Sequence, residues 1–286
     1  ICSRPMKSVG RDQIKLAKLY GIEGICFHCY WSENKQHPET EINNYLKNTD
    51  LDLPFCSSWA FESWEWQSDT EGYTARDSKQ PTKTEDIAFI QHISAYFNDP
   101  RHIRIGKKPL LLVDFPDLQP SVQEIVKNWR NWCKEEGVGE IYLGFMGTLG
   151  TLDPIQYGFD AAVEKPQACL PLARDINPSQ PNENINFLHH EGDGSLERSR
   201  KYDKPAYKLF RTVCPITTGD TTIDSGKTLP MAYQEWLFNA INDKLHRFDN
   251  RDERIVMVNP WNIYSVNDFL EPDPHYGFAY LEATCM

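Results

Sequence analysis

The feature that most constrains this chain is a set of short apolar runs that do not alternate with polar residues. Ile255-Val256-Met257-Val258 stops at Asn259-Pro260-Trp261-Asn262, and Pro109-Leu110-Leu111-Leu112-Val113 stops at Asp114. A strand with one face in water alternates, so runs like these predict strands buried on both faces, as in parallel sheets. Pro260 has no N–H to give a ladder, and the last run ends there. Beyond it come an aromatic ring, an amide and the carboxylates Asp268 and Glu271. In barrels of parallel strands, ligands bind at that carboxyl end.

Between the runs the pattern is helical. Residues 11–20 carry one apolar face with Gly21 placed as a C-terminal cap, and residues 38–47 and 230–248 read as helices. Thr82 with Glu85, and Ser121 with Glu124, have the spacing of capping boxes. Strand-like runs fall at 25–31, 53–59, 109–113, 141–146, 159–164, 207–213 and 255–258. Strands alternating with helices imply parallel pairing. An open doubly wound sheet normally shows a Gly-rich phosphate turn after its first strand, and this chain has none. The expectation is an α/β fold, a (β/α)8 TIM-type barrel lacking its first strand. It forms a single domain over residues 1–286, with a long polar loop near 166–205.

A formal charge of -11 on 286 residues argues against nucleic acid or an anionic membrane as partner, since both select clustered Lys and Arg. No apolar run approaches the roughly 20 residues of a membrane span. The chain opens at Ile1-Cys2-Ser3 without Met, which suggests part of a larger chain. Cys26, Cys29, Cys56 and Cys214 sit in or beside apolar runs, where free cysteine behaves as a small hydrophobe. Cys26 and Cys29 have metal or redox spacing. On a strand, however, residues three apart face opposite ways, and no second pair completes four ligands. Both are expected reduced, which favours a cytoplasmic protein. His189-His190-Glu191 lies in the polar loop and is not taken as a metal site; no cofactor is expected. Asp117, Asp153 and Asp160 read as turn formers and caps.

The strand ends collect His28, Tyr30 and Trp31; Trp59, Glu62, Trp64 and Trp66; Asp114; Glu164; Trp261, Asn262 and Tyr264; and Asp268 with Glu271. Flat rings stack on the apolar faces of sugars while carboxylates and amides take the hydroxyls. Glycoside chemistry needs two carboxyl groups flanking the scissile bond. Glu62 and Glu164 are the candidates for that pair, with Asp114 and Asp268 behind them. The competing expectation is that the tryptophans are core and that Glu271-Pro272-Asp273 only fixes the exit of the last loop.

Residues 13–24, Asp52-Leu53-Pro54-Phe55-Cys56, Trp59-Ala60, Asn98-Asp99-Pro100-Arg101, Lys108-Pro109-Leu110-Leu111-Leu112, Tyr157-Gly158-Phe159-Asp160 and Leu270-Glu271-Pro272-Asp273 follow in an order that resembles the WbsX-like family. That family is called glycosyltransferase WbsX and is related to glycoside hydrolase family 99. The resemblance covers nearly the whole chain and implies a (β/α)8 barrel in polysaccharide or O-antigen metabolism. It implies Trp59, Glu62, Trp64, Glu164, Trp261, Asn262 and Glu271 as site-lining residues. The family's last-strand motif is Trp-Asn-Glu-Trp-Ala-Glu-Gly, whereas Ile263 and Val266 replace its two glutamates here. The expected function is a glycan-active protein, cleaving or transferring glycosidic bonds in an oligosaccharide or polysaccharide, with those glutamates replaced. The alternative is a catalytically silent carbohydrate-binding or scaffold barrel.

Overall fold

A computed structural model describes residues 6–32, 35–36, 40–60, 83–114, 120–147, 153–164, 196–215, 229–263 and 268–285. The chain separates into two compact units. One holds Ile1–Lys18, Glu23–Gly147 and Thr151–Ala162; the other holds Leu19–Ile22, Thr148–Gly150 and Val163–Met286.

In the first unit, helices α1 (Met6–Leu19), α2 (Thr40–Lys47), α3 (Lys83–Ser94) and α4 (Pro120–Glu135) alternate with strands β1 (Ile25–Ser32), β3 (Phe55–Ala60), β5 (Lys108–Asp114) and β6 (Tyr142–Gly147). These four strands pair in parallel in the order β1, β3, β5, β6. Two short antiparallel pieces are added, β2 (Lys35–Gln36) on β1 and β4 (Arg104–Ile105) on β5. The alternating α/β pattern and its parallel pairing are as expected. Gly21 takes a φ of 77° after α1, the left-handed position of a C-terminal cap. Ser121 does not cap α4. The helix already starts at Pro120, whose fixed φ suits a first helical position, and the buried Ser121 hydroxyl has no partner. Thr82 lies outside the described residues.

The register assigns the two faces of this sheet. Cys29, Trp59 and Val113 are cross-strand neighbours and join the apolar cluster that includes Phe89, Val126 and Trp129 of the helices. One residue out of phase, Cys26, Cys56, Leu110 and Tyr142 stand level, then His28, Ser58, Leu112 and Gly144, then Asp114 and Met146. Because side chains alternate along a strand, these layers belong to the face turned away from the helical core.

The entry to β3 is fixed by Arg101. Its guanidinium donates to the carbonyls of Asn48 (3.0 Å) and Leu51 (2.7 Å) beyond the end of α2, and to Asp99 (2.7 Å). It also lies 4.6 Å over the Tyr45 ring. The Arg101 carbonyl accepts from Phe55 N–H, the first residue of β3. Further on, Asp153 caps the short 3-10 helix Pro154–Tyr157, as expected, and Gly158 ends it at φ 89°. A Cβ on Gly158 would lie 2.9 Å from Val126. Asp160 does more than form a turn: its carboxylate accepts from Leu143 N–H (2.8 Å) and from Arg130 of α4 (2.7 Å).

Strand β7 (Ala161–Glu164) spans the boundary of the units. In the second unit, β8 (Leu209–Val213) and β9 (Val256–Val258) pair in parallel, connected through α5 (Leu229–Arg247). A hairpin of β10 (Asn262–Ile263) and β11 (Asp268–Phe269) follows, then α6 (Ala279–Thr284). Tyr233 of α5 packs on Tyr280 of α6 at 5.5 Å. Strand β9 corrects an expectation. All three of its residues are partly exposed, and β8 is its one strand partner among the described residues.

The cysteine expectation holds for Cys26, Cys29 and Cys56, which are free. It fails for Cys214, which is disulfide-bonded. An apolar neighbourhood does not exclude a bond, and the case for a reducing compartment loses that cysteine.

Two outcomes follow from these anchors. Arg101→Lys keeps the charge but not the planar fork that reaches Asp99 and two carbonyls together; it should cost about 2–3 kcal/mol in urea unfolding. His102 is 4 % exposed, and burial pushes its imidazole down to about 4 from an ordinary 6.5. Above the ordinary value both states are neutral and the group contributes nothing to pH dependence. As pH falls from 6.5 toward 4, the unfolded chain takes up the proton first, so stability falls, by up to roughly 3 kcal/mol. His102→Gln should flatten the stability profile across that window.

Candidate functional site

At the carboxyl ends of the first unit's strands, the candidates divide by face. His28 is exposed on the face turned away from the core, level with Ser58, whose hydroxyl donates to Met146 sulfur at 3.3 Å. Asp114 is partly buried at the end of β5, level with Ala60 and Met146. Tyr30 and Trp31 lie in β1 by their backbone. Trp59 lies on the other face. It is 1 % exposed, stacked 4.3 Å from Phe89 and packed 5.2 Å from Trp129, so no sugar can stack on it in this arrangement. The signal was in the sequence: Trp59 has the parity of the core residue Phe55. Glu62, Trp64, Trp66, Tyr264 and His189-His190-Glu191 lie outside the described residues. Among those described, no three His, Cys, Asp or Glu residues form a group able to hold a metal ion.

In the second unit, Glu164 ends β7 against a buried arginine that sequence reasoning missed. Glu164 Oε2 is 3.5 Å from Arg211 Nη1. Arg211 is 2 % exposed; it donates to Asp243 of α5 at 2.9 Å and to the Asp203 carbonyl at 2.7 Å. The guanidinium lies 3.8 Å over the Tyr202 ring, and the Tyr202 hydroxyl accepts from Trp236 at 3.0 Å. Burial raises the Glu164 carboxyl above its ordinary range, with Arg211 opposing. A carboxyl so raised can hold a proton for a leaving oxygen. An arginine inside the apolar run Leu209-Phe210-Arg211-Thr212-Val213 was the available clue, since buried charges are paired.

After β9 the chain passes the Asn259–Pro260 cis bond and the hairpin folds back on Trp261. Leu270 N–H reaches the carbonyls of Pro260 (3.1 Å) and Trp261 (3.0 Å), and Glu271 N–H that of Trp261 (3.2 Å). The Trp261 indole then donates to Glu271 Oε1 at 2.8 Å. Trp261 stays partly exposed and Asn262 exposed. Asp273 accepts from the backbones of His275 (2.6 Å) and Tyr276 (2.7 Å). Thus Asp273 fixes a turn, while Glu271 holds a ring.

Removing Arg211 tests the network around Glu164. Asp243 keeps Arg247 at 3.6 Å, so Arg211→Met should leave Glu164 as the uncompensated charge and cost roughly 3–5 kcal/mol at pH 7.5. Protonating Glu164 relieves the penalty, so the deficit should shrink as pH falls toward 5; urea unfolding at both pH values measures it.

Comparison with known proteins supplies the family. The family described as glycosyltransferase WbsX matches residues 4–284. Proteins called uncharacterised WxcX, from two strains of Xanthomonas campestris pv. campestris, are 33 % identical over 290 residues. The match takes in 96 % of this chain and 40 % of theirs, so the chain spans well under half the length of these relatives. Among solved structures, the family 99 endo-alpha-mannosidase from Bacteroides thetaiotaomicron has a similar fold, with a TM-score of 0.56 at 13 % identity over 97 % of this chain and 78 % of that one. Its complex with bis-tris-propane gives 0.55 at 12 % identity, over 97 % and 82 %. No helix among the described residues is long and apolar enough to cross a membrane. By the match along nearly its whole length, the chain belongs to the WbsX glycosyltransferase family.

Proposed function

We propose that this chain is a carbohydrate-binding (β/α)8-type barrel without its first strand, acting on an oligosaccharide or polysaccharide in polysaccharide or O-antigen metabolism. The observation that carries the proposal is the Trp261–Glu271 pair. An indole whose N–H is already bonded to a carboxylate at 2.8 Å is held in one orientation, which lowers the entropy lost when a sugar face stacks on it. Asn262 beside it offers an amide to hydroxyls. Glu164 is the candidate carboxyl of the same unit, while His28, Tyr30, Trp31 and Asp114 are candidates of the first unit taken by itself. Trp59 serves the fold instead, as packing behind β3.

The second reading is a catalytically silent barrel, and one observation favours it. The two glutamates of the family's last-strand motif are Ile263 and Val266 here. An oxocarbenium-like transition state needs a proton for the leaving oxygen and a carboxylate on the other face. Aliphatic side chains supply neither, and general acid–base help alone is worth roughly 10²–10⁴ in rate. The expected outcome is no measurable hydrolysis of α-mannosides by the unmodified chain, with glycan binding retained and weakened by Trp261→Ala. Introducing Ile263→Glu with Val266→Glu should raise turnover above background. Brisk turnover by the unmodified chain, unchanged by Glu62→Gln, would overturn this account of the site.

A further inference from the structure

Two thiols on neighbouring strands have no place in glycan chemistry. Cys26 of β1 and Cys56 of β3 are direct cross-strand partners. Both point to the face turned away from the helical core, since Cys29 and Trp59, one parity over, lie in it. Neighbouring strands run about 4.8 Å apart, within the roughly 4.4–6.8 Å between Cα atoms that a disulfide tolerates. Both thiols are free, and the nearness of Cys56 pushes the Cys26 thiol up. Cys56 is buried at 2 % exposure, whereas Cys26 is partly exposed. Cys26 is thus the more exposed residue of the pair, and Cys56 the more enclosed. The layer above it holds His28 and Ser58.

We propose that Cys26 and Cys56 form a redox-modifiable dithiol, oxidised by low-molecular-weight disulfides to a cross-strand bond that ties β1 to β3. The Cys26 thiolate attacks one sulfur of the reagent RSSR, forming Cys26–S–SR and releasing RS⁻, which takes up a proton. The Cys56 thiolate then attacks the Cys26 sulfur, forming the Cys26–Cys56 bond and releasing the second RSH. Two thiols are oxidised and one disulfide is reduced, and the protons of both cysteines leave on the two RSH molecules. Cys29 does not compete, since it is fully buried on the opposite face. The nearness of Cys56 and burial push the Cys26 thiol up, so the reaction is slow at neutral pH and quickens with alkali.

The test uses the folded chain incubated with glutathione disulfide, then alkylated, digested and weighed. The exposed Cys285 serves as an internal control that stops at the mixed disulfide. The expected product is a cross-linked pair of peptides containing Cys26 and Cys56, about 2 Da lighter than the two free thiols. Its rate should rise roughly tenfold per pH unit between 7 and 8, and the thermal midpoint should increase by roughly 5 °C. In Cys56→Ser, Cys26 should accumulate as the glutathione adduct. If that variant does not fold, the time course of the unmodified chain still decides, because a transient adduct on Cys26 must precede the cross-link. A stable adduct on Cys26 in the unmodified chain, a Cys26 still open to alkylation after prolonged incubation in alkali, or a cross-link to any other cysteine would overturn the proposal.

Discussion

The strands of this protein are set in place by guanidinium groups that collect backbone carbonyls left open at element ends. Arg101 gathers Asn48 and Leu51 beyond α2 and gives its own carbonyl to the start of β3. Arg130 does the same from α4, donating to Ile141 (2.9 Å) before β6 and to Gly158 (2.8 Å) and Asp160 (2.7 Å) before β7. A buried carbonyl without a partner costs as much as a lost hydrogen bond, and a helix ends with several. One planar fork can satisfy two or three of them while a carboxylate balances its charge, as Asp99 and Asp160 do. Apolar burial drives the layers together without direction; the forks decide which strand end meets which helix end.

This explains why several stretches that carry the family resemblance are scaffold. In Asn98-Asp99-Pro100-Arg101, Asp99 and Arg101 hold each other and the end of α2. In Tyr157-Gly158-Phe159-Asp160, the glycine is required by its φ and by Val126 behind it, and the aspartate binds the start of β6. Their spacing was visible in the sequence, but their partners were not. Arg101 reaches carbonyls some 50 residues upstream, and no periodicity encodes such a contact.

Periodicity did encode the strands, the helices and the parallel pairing, because each depends on neighbours within a few residues. It also held the face of Trp59, although clustering with Glu62 and Trp64 drew attention to composition instead of parity. The burial of β9 was not encoded. An apolar run states a preference for burial, and whether both edges are covered depends on strands elsewhere. Arg211 shows the reverse case. A charge within an apolar run looks like an interruption until Glu164, Asp243 and Asp203 are seen around it.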